Sequence, residues 1–501
     1  MKDTAGGRWS TLAAKRTGLI SRAERYAALT IPTVCPPDGY DEGSDEMQHD
    51  LQSVGAQAAN NLINKMILAM FAPSRPFMRF EMPRRAQREL LDGLKMSEAE
   101  FREEMSAAEM DAVKELDSIA ARPKLYDLMA HLIITGNCLR FMDGDVMRII
   151  GIKDFVSRRN TKGEVIEIIL RERVQVDELP EEIQALATKK HDEEMDYFRW
   201  WKWNGKMFEE TQWLDDVLVT IPKYTGKYTR EDMPVTHHVW RISDKSNYGI
   251  GHVEDSIGDF EGLSQLSEAE VNGAILASEF RWLANPGGMT RVEDVKMSRN
   301  GDVIPGNKDD LQLVSAGAVA NAIQVVSACA EKYIRRIGAS FMLTSGVQRD
   351  AERVTAEEIR LLANELETGL GGIYSRLAID LQLPLAYWLM NRLDNKVFKG
   401  TDFKPVIVTG LDALSRNGDL ENMQLFLQDV IQITTMPPEV KVYLKLDNIF
   451  SALAAGRGLR TSEYVNTQSE VDEVNAANQE AAMAQDVDAY ATQKAIDNQG
   501  K

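Results

Sequence analysis

From Thr355 onward, apolar residues recur every three or four positions without a fault: Ile359, Leu362, Leu366, Leu370, Ile373, Leu377 and Leu381. That spacing lays one apolar stripe along a helix, which would span about 43 Å if it ran unbroken to Leu383. A start signal stands where the repeat begins. Thr355 and Glu358 form an S/T-x-x-E capping box, in which the hydroxyl and the carboxylate satisfy backbone N–H groups that a first turn leaves open. Val354 and Ile359 are placed as a hydrophobic staple around it. Gly369, Gly371, Gly372 and Pro384 are the points at which such a helix can bend.

Upstream, Val253, Ile257, Phe260, Leu263, Leu266, Val271, Ile275 and Leu283 fall mostly on one stripe and predict a helix reaching 283. Asn285-Pro286-Gly287-Gly288 stops it. A compact insert to about 316, with Asn300-Gly301 and Pro305-Gly306 turns, is expected to hold strands around Val303 and 311–314. Ile323, Val326, Tyr333 and Ile337 then define a returning helix. Two helices around an insert, then a loop, then a long capped helix, describe an elongated subunit that needs neighbours rather than a globular enzyme. The first of these helices carries Glu254, Asp255, Asp259, Glu261, Glu268, Glu270 and Glu279 against one base, Arg281, so a face left unpacked would be strongly acidic. A solvated face in a bundle is the plainer reading of the same charges.

The first half reads as mixed. Helical spacing runs to Leu29 before Pro32 and Pro36-Pro37-Asp38-Gly39 impose a loop, and a helical pattern over 47–71 ends at Pro73 and Pro76. A charged helix over about 97–120 and an apolar segment over 125–134 follow. Strands are predicted at 138–142, 146–150, 165–171 and 197–203, separated by the turn signals Asp143-Gly144, Lys162-Gly163 and Asn204-Gly205. The fold class is therefore α+β, predominantly helical. Past Pro405 the pattern gives a short strand at 406–408, helices near 419–433 and 438–454, and a solvated Ala-, Asn-, Gln- and Asp-rich tail.

Chemistry is sparse. At 501 residues and 44% apolar, the chain can bury two to four cores, but Cys35, Cys138 and Cys329 offer neither a disulfide framework nor a Cys-x-x-Cys pair, which fits a reducing compartment. Lys15, Arg16, Arg22, Glu24 and Arg25 interrupt every candidate signal sequence, and the apolar run 62–72 falls short of the ~20 residues that cross a bilayer. No G-x-x-x-x-G-K-[ST] loop, H-E-x-x-H pair or G-x-S-x-G elbow occurs. His237 and His238, successive in a strand, point to opposite faces and are poor joint ligands; Asp143 and Asp145 read as a hairpin turn rather than a Mg²⁺ pair. The aromatic run Tyr197 to Trp203, followed by Asn204-Gly205 and Phe208, reads as cross-strand packing rather than a base-stacking platform. No catalytic residue, metal or cofactor is expected. A formal charge of −19 excludes a general electrostatic grip on phosphates.

The tract Phe341-Met-Leu-Thr-Ser-Gly-Val-Gln-Arg349, with Glu352-Arg-Val-Thr-Ala-Glu-Glu-Ile-Arg360 and Glu365-Leu-Glu-Thr-Gly-Leu-Gly-Gly-Ile-Tyr374, closely resembles the portal, or head-to-tail connector, proteins of T7-like short-tailed bacteriophages. The likeness extends to Thr30-Ile31-Pro32, Gln52-Ser-Val-Gly-Ala56, Asn60-Asn61-Leu62, Asn285-Pro286-Gly287 and Thr409-Gly-Leu411. It implies a non-enzymatic ring of about twelve subunits at one capsid vertex. A separate terminase motor would package double-stranded DNA through the ring, and the genome would later leave through the tail. It also implies a wing (1–250 with the long helix 355–395), a stem (251–283 and 317–340), a clip (284–316), a crown (396–465) and a flexible acidic tail (466–501). The loop 341–354 would face DNA through Gln348, Arg349 and Arg353, and the acidic stem face through Glu254, Asp255, Asp259, Glu261 and Glu268. Implied partners are the major capsid and scaffolding proteins, a tail adaptor and internal core proteins, with no membrane. The expected location is the virion, with host cytoplasm during assembly. A helical scaffold or minor capsid protein without a channel is the alternative.

Overall fold

The Thr4 hydroxyl accepts from the Gly7 N–H at 3.2 Å and so caps the first helix. In a computed structural model of the chain, the described residues are 4–71, 76–81, 89–91, 98–188, 193–278, 280–315, 317–343, 356–393 and 404–407, with 427–429, 431 and 449. The chain divides into two compact units, Met1–Thr409 and Gly410–Lys501, and every element named below belongs to the first. Helices predicted near 419–433 and 438–454, and the tail, lie almost wholly outside the described residues.

Helices α1 (Ala5–Ala13) and α2 (Thr17–Ala28) lead to α3 (Val54–Met70), where Ala58, Ala59, Leu62, Ile63, Met66, Ile67 and Met70 are buried at helical spacing. The helical pattern from residue 47 thus becomes a helix only at Val54, because 47–53 do not form one. Strand β1 (Met78–Glu81), α4 (Glu98–Ser118) and α5 (Ala121–Thr135) follow. Gly136 ends α5 at φ +78°, donating to the carbonyls of His131 and Leu132. A side chain there would also meet the Gly251 backbone nitrogen at 2.4 Å, so glycine is required by both conformation and contact.

After this stop come β2 (Asn137–Asp143), β3 (Val146–Ile150), β4 (Phe155–Arg159), β5 (Val165–Gln175), β6 (Glu194–Trp203), β7 (Phe208–Leu214), β8 (Val217–Leu218), β9 (Gly226–Tyr228) and β10 (Val235–Val239). They make two antiparallel sheets: β10-β2-β3, and β4-β5-β6-β7-β8 with β9 added to β7. The predicted hairpins are all present, Asp143 pairing with Val146 and Trp203 with Phe208, whose rings lie 5.0 Å apart. One face of the larger sheet buries Val156, Ile169, Phe198 and Trp200 against Trp9 and Leu12 of α1. The two sheets meet through Phe141 on Trp201 and Phe155 on His237.

Helix α6 (Ile257–Ser278) stops short of the expected end, and Phe280–Ala284 is strand β11, paired with β12 (Leu311–Ser315). Nothing in local periodicity opposes a helix there; the partner strand 31 residues on supplies the hydrogen bonds instead. Val303 lies in irregular chain rather than a strand. Helix α7 (Gly317–Ser340) agrees with the pattern. The helix expected to run from 355 unbroken is two, α8 (Ala356–Leu370) and α9 (Ile373–Arg392), since Gly371 and Gly372 both take positive φ. Pro384 sits inside α9 without ending it. Among the described residues strand β13 (Lys404–Ile407) pairs only with β1, so Pro405 costs that ladder little.

Candidate functional site

Helices α6 and α7 pack along each other and are rooted in the α+β body at one end. Phe260, Leu263, Ile337 and Phe341 are buried there, and Phe341 stands edge-on to both His252 and Phe260. His252 Nε2 lies 3.0 Å from the Ser340 carbonyl, and the Ser256 and Ser340 hydroxyls are 3.0 Å apart. Burial holds the His252 imidazole below its ordinary range, so it acts as a neutral packing group.

Four of the five acidic residues expected on a channel face are bound within the chain. Arg241 grips Asp255 through two bonds of 2.6 and 2.9 Å. Arg22 stands 4.0 Å from Glu254, Arg25 pairs with Glu261, and Arg336 of α7 pairs with Asp259. The last two pairs tie the root of α6 to α2 and α7, and each of the four contributes on the order of 0–1 kcal/mol because the partners are partly solvated. Glu268 lies exposed, with no basic partner among the described residues. Further along, the expected core stripe turns outward at Val271, 51% exposed, and Ile275, 53%, and beside it Leu276 and, on α7, Val325 are exposed as well.

Gln348, Arg349, Arg353 and Thr355 lie outside the described residues, as does the side chain of Glu358, which stands on α8. The described residues on either side of this stretch are held by α3. Asn61 Nδ2 donates to the carbonyls of Phe341 and Met342 at 3.0 and 2.9 Å. Lys65 Nζ reaches the Met342 carbonyl and Glu365 Oε1, both at 2.9 Å, and so joins the end of α7 to α8. Replacing Lys65 by Met is expected to release the Met342–Glu365 link and raise the rate of proteolytic cutting between 343 and 356 several-fold, with little change in overall unfolding. Limited proteolysis with mass mapping checks this. Lys65 stands inside the apolar run 62–72, and nothing in its spacing gives a sign of a partner 277 residues away.

Between β11 and β12 the insert is organised by Asp310. Its Oδ2 accepts from the N–H groups of Met289 and Thr290 at 2.8 and 3.0 Å and from the Thr290 hydroxyl at 3.0 Å. The Thr290 N–H above all, with its hydroxyl and the Met289 N–H, holds the Asp310 carboxyl below its usual value. A depressed carboxylate stabilises the fold above the unfolded value, about 3.9, and that contribution is lost as pH falls through the lower folded one. Protection of the Met289 and Thr290 amides from hydrogen exchange is therefore expected to persist at pH 5 and to collapse on acidification below about 4.

Residues 2–465 match the family described as bacteriophage head to tail connecting protein. The chain belongs to that family. It is a phage portal subunit, and curated relatives agree across nearly its whole length. It is 32% identical over 441 residues to the portal protein of Enterobacteria phage SP6, covering 86% of this chain and 83% of that one. Against the portal protein of Escherichia phage T7 it is 29% identical over 517 residues, covering 98% and 95%. A chain in the neck of an empty gene transfer agent particle covers 82% of this connector at 11% identity and a TM-score of 0.40, too weak a likeness to argue from. Among the described residues the connector has no helix long and apolar enough to cross a membrane, and no group of three or more metal-ligating side chains.

Proposed function

We propose that this connector closes into a ring of about twelve subunits at one capsid vertex. Through the ring a separate terminase motor drives double-stranded DNA into the head, and the genome later leaves through the tail. In this reading 1–250 and 355–395 form the wing, the α6/α7 pair the stem, the insert between them the clip, and 396–465 the crown.

The observation that supports it best is the outer half of the helix pair. Val271, Leu276 and Val325 stand exposed on helices whose roots are well packed. A ridge of this kind needs covering, and copies of the same chain about a closed axis cover it on both sides. Met289 and Met297 in the insert are exposed, adaptable side chains suited to meeting terminase or a tail adaptor. Major capsid, scaffolding and internal core proteins meet the wing and crown. Loop 341–354 faces the duplex through Gln348, Arg349 and Arg353, while the acidic excess of the chain, −19 per copy, repels it. Repulsion screened over ~8 Å centres a moving rod without holding it. The subunit contributes no catalysis, and the work of packaging comes from the motor.

Native mass measurement with negative-stain microscopy tests the ring. A closed assembly of about twelve copies, with a hole wide enough for a duplex, is expected, and Val271→Asp is expected to shift it toward small species. A wild-type chain that stays a monomer or dimer at high concentration overturns the reading.

A further inference from the structure

Contacts between named residues fix how α6 and α7 run past each other. Arg336 pairs with Asp259, a side chain on Gly262 would meet the Tyr333 ring at 2.9 Å, and one on Gly273 would meet Ile323 at 3.1 Å. The helices are therefore antiparallel and keep one level-by-level match from Asp259 to Gly273. Successive helix residues turn by about 100°, so a side chain two positions from a contact points away from it. Val271 stands two before Gly273, and Val325 two after Ile323. Both point outward, 51% and 64% exposed, at one level and on opposite sides of the pair.

The two sides carry unlike charge. On the α6 side, Val271 shares its stripe with exposed Ile275 and with Glu268, one turn to either side. The Ser264 hydroxyl, a turn beyond Glu268, donates to Asp50 and so brings a second acid to this side. Asp50 Oδ2 has no hydrogen-bond partner, and among the described residues no base pairs with either carboxylate. On the α7 side, Lys332 lies two turns beyond Val325, exposed and with no acid against it among the described residues. Nearby Arg335 is already held by Glu331 at 3.1 Å. The match of the helices sets Lys332 within one residue of the level of Ser264. From the level of Glu268 it is roughly 6–8 Å, the rise of four to five residues, which a lysine and a glutamate span together.

Apolar side chains at one level, with acids beside one and a base beside the other, are complementary only when unlike sides meet. Pairing about a two-fold axis would set acid side on acid side or base side on base side. Rotation about a closed ring axis turns the α6 side of each copy to the α7 side of the next and adds no rise along that axis. We propose, resting on the ring reading, that this is the seam between neighbouring copies. Val271 of one copy packs on Val325 of the next, and Lys332 of that next copy reaches toward Glu268 and Asp50.

Oxidative cross-linking of the full-length connector tests the seam, in a Cys329→Ala background because Cys35 and Cys138 are buried. Val271→Cys together with Val325→Cys on one chain is expected to give a ladder reaching past dimer on a non-reducing denaturing gel. Each single variant is expected to stay monomeric there, and an equal mixture of the two singles to stop at dimer. Charge reversal reads the same seam without cysteines. Glu268→Lys and Lys332→Glu are each expected to raise the concentration for half-assembly about tenfold, and the two combined to return it to within about threefold of wild type. If the cysteine pair prevents assembly, these reversals decide alone. Native mass measurement of the unaltered chain keeps the two readings apart: subunits that never close overturn the ring and the seam with it. Rings that give no ladder from the double variant, a dimer from Val271→Cys alone, or reversals that do not compensate each other overturn the seam and leave the ring standing.

Discussion

Replacing Asn137 by Ala is expected to destabilise the connector by about 2–4 kcal/mol, the cost of leaving several buried backbone groups without partners. Asn137 is fully buried where α5, β2 and the segment leading to α6 converge. Its Nδ2 donates to the carbonyls of Thr135 and Gly249, both at 3.0 Å. Its Oδ1 accepts from the Gly249 N–H at 2.7 Å and faces His237 Nε2 at 3.3 Å. Alanine abandons both polar groups of Gly249 at a place too tightly packed for easy repair, since a side chain at Gly251 would meet the Ile134 carbonyl at 2.6 Å. Asn137→Asp is expected to be worse still, because it removes the Nδ2 donor and buries a charge near His237, which burial already holds well below its ordinary range as a neutral ring. Denaturant unfolding gives the size of the loss, and hydrogen exchange at Gly249 gives its place. A variant as stable as wild type would mean that the junction of β2 with Gly249 does not depend on this side chain.

Arg140→Met is expected to do the opposite and stabilise the chain, by about 1–4 kcal/mol. The guanidinium sits on the middle strand of the three-stranded sheet with only 1% of its surface exposed. Nη2 reaches the Thr236 hydroxyl at 3.3 Å, while Nε and Nη1 have no hydrogen-bond partner, and no acid pairs with it among the described residues. Burial lowers its pKa to about 10, so it stays charged at neutral pH. The folded state then binds fewer protons than the unfolded one from about 10 up to the ordinary guanidinium value, and this residue's penalty eases only as pH rises through that window. Methionine fills a similar volume and needs no partner. Arg140→Lys, which keeps the charge, serves as the control and is expected to gain nothing. A Met variant less stable than wild type in the isolated subunit would mean that an anion compensates Arg140 in the folded chain.

Much of this architecture is legible in local signals because those signals act locally. Asp143-Gly144 and Asn204-Gly205 set hairpins whose strands are adjacent in sequence, and the apolar spacing of 317–340 gives a helix at the expected place. The family resemblance carried by 341–374 is just as local, although the loop residues themselves lie outside the described structure. Periodicity fails where a competing partner lies far along the chain. Phe280–Ala284 reads as the last turns of a helix until Leu311–Ser315 offers a ladder, and Val271 reads as core until the helix pair leaves it uncovered.

By itself, then, the sequence determined the class of the fold, the order of its helices and hairpins, and its family, since each depends on residues close enough together to be read as one pattern. Only the tertiary structure decided which charges are spent. It pairs Asp255 with Arg241 and Glu261 with Arg25, closes Lys65 on residues about 280 and 300 positions away, and leaves Arg140 and Glu210 buried with no counter-charge among the described residues. Whether a charge is neutralised, solvated or stranded depends on what packing brings within about 4 Å of it, and no run of neighbouring residues records that distance.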